Sequence, residues 1–206
     1  MNMEGREKFV SLSEYIPDLM LDIRYYCTYN FIGDRVDGYL APIALLAREA
    51  ADALRGANAL ALKRGFRLKV YDAYRPYSAV RHFERWAKDL SDTRMKRYFY
   101  PEVDKSELFE LGYIASRSGH SRGSAIDLTL FDMQSGKDLD MGSPFDYFGD
   151  LSHSDYEGVT QTQFHNRMKL RSIMERNGFQ SITTEWWHFG LKDEPFPDTY
   201  FEFPVL

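Results

Sequence analysis

The chain has 206 residues, 44% of them hydrophobic and 28% charged, with a formal net charge of −5, the profile of a soluble globular protein with room for one sizeable core. The single cysteine, Cys27, excludes an internal disulfide. No basic stripe is present to neutralise a phosphate backbone, which argues against a nucleic-acid partner, and no apolar run approaches the roughly 18–20 residues of a membrane span.

The first residues, MNMEGREKFVSL, lack the apolar segment of a secretory leader. A cytoplasmic location is the expectation, with the cell envelope as the alternative if a leader is removed from a precursor. One domain is expected over 1–206, with residues 1–20 as a partly ordered extension. Cys27 reads as a small, half-buried apolar residue rather than a nucleophile. Residues 41–64 predict a helix, because Pro42 suits its first turn, alanine and leucine recur, and Gly65 stops it. Gly56 weakens the middle of that helix by about 1 kcal/mol relative to alanine. Phe66, Leu68 and Val70 then alternate with Arg67, Lys69 and Tyr71, which predicts a strand. The stretch YRPYS breaks it, and a second helix is expected over 79–90. Residues 91–117 predict a loop-rich insertion. AIDLTLF, within 124–131, predicts another strand, and DMQSGKDLDMGSPFDYFGD a turn followed by a loop. A third helix is expected over 163–177, with Phe164, Met168, Ile173 and Met174 at apolar positions and Gly178 closing it. Residues 179–183 and 186–191 predict two short strands. Helices gathered before and after strands, without a regular βαβ rhythm, predict an α+β fold. Aromatic residues make up 16% of the chain, and core and cleft lining is their ordinary use.

Five histidines are available: His82, His120, His153, His165 and His188. His82 and His165 fall inside predicted helices without a carboxylate motif and read as surface or packing residues. His153 lies in a polar loop and reads as exposed. His120 and His188 differ, because Asp127 follows the first in SGHSRGSAIDLTL and Glu185 precedes the second in EWWHFG. A catalytic zinc site commonly uses three N or O ligands and leaves a fourth position for water. His120, Asp127 and His188 are candidates for that set, and Glu185 for a base beside it. His120 and Asp127 are too far apart for one helical face, but Gly119, Gly123 and Ser124 let a turn and a following strand bring them together. Glu185 and His188 would point to opposite faces of a flat strand, so their convergence demands a bend near Trp186–Trp187. The plainer alternative stands beside this one: a chance His–Asp spacing and an exposed Glu185.

These motifs carry a family resemblance. SGHSRGSAIDLTL resembles the S-x-H-x(6)-D signature of the D-alanyl-D-alanine dipeptidases in metallopeptidase family M15, and EWWHF resembles that family's downstream E-x-x-H element. DAYRP (72–76) is similar to its arginine segment and MGSPFD (141–146) to its substrate-binding loop. The likeness runs from about residue 26 to 204. It implies a central, mainly antiparallel sheet flanked by helices, as in hedgehog and D,D-peptidase domains. It implies one zinc ion per chain held by His120, Asp127 and His188, with Glu185 as general base and then acid. Arg75 would face the oxyanion of the tetrahedral intermediate. Asp146, with Tyr26 and the region of Ser118, would receive the ammonium of a small dipeptide, and Tyr25 is the alternative to Tyr26. Without the resemblance, Arg75 reads as a surface arginine paired with Asp72, and Asp146 as a turn residue. Trp186 and Trp187 are expected to shield the metal and pack the core, and Ser118 and Arg122 to orient the His120 loop. Two rival functions remain at this stage. One is a D,D- or L,D-carboxypeptidase or endopeptidase on peptidoglycan stem peptides, and the other a catalytically silent, zinc-stabilised binding module.

Overall fold

Segments far apart in sequence build the first structural unit. In the computed structural model, which describes residues 3–206, strand β1 (Phe9–Ser11) runs into a short helix α1 (Leu12–Tyr15) and then β2 (Met20–Leu21). Strand β3 (Leu45–Ala47) pairs antiparallel with β1, Phe9 opposite Ala47 and Ser11 opposite Leu45. Phe9, Leu12, Ile16 and Leu19 are all buried in the main core, so the segment expected to be an extension is built into the domain's interior. The pairing also corrects the first helix. Leu45, Leu46 and Ala47 are completely buried, and their ladder to β1 outweighs helix propensities of a few tenths of a kcal/mol per residue. Helix α2 is therefore Arg48–Lys63 rather than 41–64. It buries Ala50, Ala51, Leu54, Ala57 and Ala61, the three-and-four spacing of an amphipathic face.

The main sheet follows. Strand β4 (Phe66–Asp72) leads through the Arg-Pro turn into α3 (Tyr77–Lys88) and the short α4 (Lys96–Phe99). Strands β5 (Ala125–Asp132) and β6 (Lys137–Asp138), helix α5 (Gln161–Glu175), and strands β7 (Phe179–Ser181) and β8 (His188–Leu191) complete the chain. The sheet order is β2-β4-β5-β8-β7, with β6 paired to the end of β5. Only β2 on β4 is parallel; the remaining pairs are antiparallel. Helices α2 and α5 pack on each other and against β4 and β7. The fold is thus α+β with a mainly antiparallel sheet, as expected. Among the described residues, no helix is long and apolar enough to cross a membrane.

Two details of this frame bear on the site. Residues 91–117 contain only α4 and short turns, yet they are pinned. The buried Lys105 ammonium donates to the carbonyls of Asp89 at 2.7 Å and Asp92 at 2.8 Å and stands 3.9 Å over the Trp86 ring. The second detail is register. Asp127 on β5 lies opposite Asp72 on β4 and opposite His188 on β8. Directly opposed residues project to the same face with Cβ atoms about 4.5–5.5 Å apart. A bulge between Val70 and Asp72 sets this row on the β4 side.

Candidate metal centre and substrate cavity

His120 reaches the row from a 3₁₀ turn, Gly119–Arg122, just ahead of β5. The Ser118 hydroxyl accepts the His120 backbone N–H at 3.3 Å. Gly123 ends the turn in the left-handed region (φ 81°), and a Cβ there would lie 2.2 Å from the Phe9 ring. Both facts require glycine at this position. The His120 Nδ1 atom sits 2.7 Å from the Ala73 carbonyl oxygen. A carbonyl only accepts, so Nδ1 carries the proton and Nε2 offers its lone pair to the cavity. This is the orienting acceptor that sequence alone does not name.

The bend demanded between Glu185 and His188 is present. Strand β8 starts only at His188, and the preceding Trp186–Trp187 form a turn closed by the His188 N–H to the Glu185 carbonyl at 3.4 Å. Glu185 Oε2 thereby comes to 3.9 Å from His188 Nδ1.

Three donor atoms now form a small triangle. His120 Nε2 and His188 Nδ1 are 3.1 Å apart, His188 Nδ1 and Asp127 Oδ1 3.0 Å, and His120 Nε2 and Asp127 Oδ1 3.3 Å. Zinc bonds of about 2.0 Å in a tetrahedron put neighbouring ligand atoms about 3.3 Å apart. The observed edges fit that requirement, and among the described residues these are the three side chains grouped closely enough to hold an ion. Burial alone would raise the Asp127 pKa, but His120 and His188 beside it hold the carboxyl far below its usual range. It is a carboxylate, as a ligand must be.

A cavity of about 190 Å³ opens onto this triangle. Arg75 and Glu185 line it, with Tyr25 and Asp146 and the segment 112–119 making up further wall. Arg75 is not the surface arginine of the plainer reading. Its guanidinium is largely buried, donates to Asp72 at 2.9 Å, and lies 3.5 Å from Asp127 and 5.0 Å from the Tyr25 ring. Asp72 is itself buried and accepts the Tyr39 hydroxyl at 2.5 Å. Asp146 is buried and accepts the Tyr25 hydroxyl at 2.9 Å. Burial, with the charge of Asp127 adding to it, pushes the Asp146 pKa well above the usual carboxylate value. Burial also raises Glu185, against the opposing pull of His188. Asp146 is the one non-glycine residue with positive φ among those described, at 61°; such a conformation persists only where surroundings impose it.

What imposes it includes Arg167 of α5. This buried arginine donates to three backbone carbonyls of the Asp146 loop, those of Met141 at 2.6 Å, Leu151 at 2.7 Å and His153 at 2.6 Å. Of the apolar positions expected on α5, Ile173 and Met174 are buried and Met168 is half-buried. Phe164 is exposed, and the buried line is Asn166, Arg167, Leu170, Ile173 and Met174.

Other expectations are placed as follows. Tyr25, not Tyr26, reaches the cavity; Tyr26 is half-buried with Arg35 over its ring at 5.8 Å. The two neighbours cannot share a direction, and Tyr25 takes the inward one. Ser118 lines the cavity with its hydroxyl already engaged by His120. Trp186 and Trp187 are buried but do not line it; Trp186 donates to Ser143 at 2.8 Å and Trp187 packs on Phe145. They brace the Asp146 loop rather than screen the donor triangle. Arg122 makes a bidentate pair with Glu194, both bonds 2.7 Å. Cys27 is exposed rather than half-buried, and His153 half-buried rather than exposed. His165 is exposed, and His82 accepts the Asp37 backbone N–H at 3.1 Å.

Comparison with known proteins gives a consistent picture. A family model described as D-ala-D-ala dipeptidase, of the M15 peptidases, matches residues 5–206. A D-alanyl-D-alanine dipeptidase of Enterococcus faecium is 42% identical over 197 residues, 96% of this chain and 98% of that protein. Its counterpart in Enterococcus faecalis is 44% identical over the same shares, and that of Escherichia coli 35% identical over 92% of this chain and 87% of its own. Among solved structures, a zinc-complexed mutant of the vancomycin resistance D,D-pentapeptidase VanY is similar at 15% identity and a TM-score of 0.44, over 75% of this chain and 77% of that one.

Proposed function

This chain belongs to the D-Ala-D-Ala dipeptidase family of M15 peptidases, and from that premise we propose that it hydrolyses D-alanyl-D-alanine or a close D-containing dipeptide at a single zinc ion. The observation that carries the reading is the donor triangle of His120, Asp127 and His188 on the wall of the same small cavity as Glu185, Arg75 and Asp146.

The roles follow from chemistry. His120 Nε2, His188 Nδ1 and Asp127 Oδ1 would hold the zinc, as two neutral imidazoles and one carboxylate. The chemistry zinc supplies in such a site is acidification of its water and polarisation of a carbonyl. Glu185, on the cavity wall with its Oε2 3.9 Å from His188 Nδ1, takes the proton of the attacking water. The water oxygen bonds to the scissile carbon. The C–N bond then breaks, and Glu185 delivers its proton to the departing amine, so two amino acids leave and the carboxylate is restored. Arg75, held by Asp72, presents its guanidinium where negative charge develops on the former carbonyl oxygen. Asp146, with Tyr25, receives the free ammonium of the substrate, whose positive charge favours the carboxylate against the burial that opposes it.

The size of the cavity supports a dipeptide over a stem peptide. About 190 Å³ lies below the roughly 300–1,000 Å³ of sites for drug-sized ligands, and Asp146 bounds the ammonium side. The test is zinc content measured together with alanine release from D-Ala-D-Ala, from its N-acetyl derivative and from a stem pentapeptide. One zinc per chain and release from the free dipeptide about 10- to 100-fold faster than from the blocked one are expected, the worth of one charge-assisted contact. Equal rates on free and blocked dipeptides refute the role of Asp146, and preference for the pentapeptide refutes the dipeptidase reading.

A further inference from the structure

A dipeptide is charged at both ends, and the roles above answer only one of them. The cavity wall contains two arginines, Arg75 and Arg117. Arg75 is committed: Asp72 accepts its Nε–H at 2.9 Å and lies 2.9 Å from its Nη2, and Asp127 lies 3.5 Å away. Arg117 is not. It lies on the exposed stretch Ala115–Arg117, at the end of the insertion that walls the cavity and three residues ahead of His120. Its guanidinium makes no ion pair among the described residues and stands 5.4 Å over the ring of Tyr200. Arg122 stands over the same ring at 5.7 Å, but its charge is answered by Glu194. The ring of Tyr200 is half-buried, and a cation held only by an aromatic face gives up about 1 kcal/mol when it turns to an anion.

We infer that Arg117 binds the terminal carboxylate of the substrate and makes the site selective for peptides that end in a free carboxylate. The inference rests on the dipeptidase reading and deepens it. Asp127, Asp146 and Glu185 surround the reacting centre, and the cations there, Arg75 and the zinc the triangle would hold, are answered by Asp72 and by those acids, which leaves the substrate carboxylate without a countercharge. Arg117 is the lining cation free to supply one, and its planar fork suits a carboxylate. With Asp146 taking the ammonium, the cavity measures the distance between the two ends of its ligand. That provides a physical basis for accepting a dipeptide and rejecting a longer chain.

The test is a binding measurement without turnover. Calorimetry on the zinc-loaded Glu185→Gln protein compares D-Ala-D-Ala with its C-terminal amide. The free acid should bind about 10- to 100-fold more tightly, the range for one charge-assisted contact. Adding Arg117→Gln should abolish that preference by weakening the acid alone and leaving the amide unchanged, and Arg117→Lys should restore part of it. An Arg117→Gln protein that still prefers the acid by the same factor overturns the inference while leaving the dipeptidase reading intact. So does equal binding of acid and amide before Arg117 is changed. If neither compound binds, both the inference and the reading beneath it fall. Arg117 is exposed, so its replacement leaves the core untouched, and thermal unfolding of the variant should match the parent.

Discussion

Replacing Arg167 with methionine tests whether the substrate loop is held from outside the cavity. Methionine is close in length and tolerates a buried site, so the change removes mainly the guanidinium. Three carbonyls, of Met141, Leu151 and His153, then lose donors that stand at 2.6 to 2.7 Å. Arg167 is 1% exposed, so water does not readily replace it. Each stranded acceptor costs about 1–3 kcal/mol. Part of the total is returned, because the guanidinium is itself buried without a carboxylate bonded to it, and that burial lowers its pKa to about 10. A net loss of about 3–6 kcal/mol is the expectation, a large share of the 5–15 kcal/mol typical of a whole domain. For a chain of this length that is a fall in Tm of at least about 6 °C. Denaturant titration gives the energy, and steady-state kinetics gives the consequence. The loop carries Asp146 in its left-handed conformation, so KM for the dipeptide should rise more than kcat falls. Arg167→Lys keeps the charge but cannot span three carbonyls, and should lie between. A loss below about 1 kcal/mol with unchanged KM refutes the account of Arg167 as the residue that holds this loop.

Glu185→Gln should retain one zinc per chain and lose about 10²–10⁴ in kcat, the usual share of a general acid–base group; undiminished turnover removes Glu185 from that role. Chelation should abolish activity while far-UV circular dichroism persists, because the core built on α2, β4, β5 and α5 owes nothing to the donor triangle. Global unfolding on chelation would instead support a structural ion. His120→Ala should drop bound zinc below one per chain at equal protein concentration. Tyr25→Phe removes the hydroxyl that donates to Asp146 at 2.9 Å and should raise KM by about tenfold, the effect of one hydrogen bond to a charged group. Tyr26→Phe should change KM by less than about twofold, and the reverse order would return Tyr26 to the cavity.

The parts of the site legible in the sequence share a property: each is fixed by local chain geometry plus one strand register. The Gly-rich turn before AIDLTL delivers His120 within seven residues of Asp127, and the E-x-x-H spacing delivers Glu185 and His188 together once the chain bends. The strand at 66–72 and the end of α2 are legible for the same reason, since alternation and Gly65 are local signals, whereas the start expected at 41 lies seven residues early. Even the start of α5 was readable: Thr160 and Gln163 form a capping box, and placing the start at 163 ignored it. The misses are contacts across long sequence separations. Nothing near Leu45 announces a partner at Phe9–Ser11, and nothing in YYCTYNF says which tyrosine turns toward a residue 121 positions later.

Arg167 and Arg117 show why charge is harder to read than apolar pattern. A buried leucine declares itself by spacing, whereas an arginine at a core position is read as surface unless something nearby answers its charge. Arg167 sits three residues before Leu170, on the stripe that continues to Ile173 and Met174, so the spacing placed it inside. What hid it is that its partners are carbonyls, which every residue carries and no sequence marks. Arg117 is the converse, an exposed cation that makes no ion pair among the described residues. If the partner is the substrate's carboxylate, no pattern within 206 residues encodes it, and it becomes visible only as a charge left unanswered on the wall of a cavity whose other arginine is already bound.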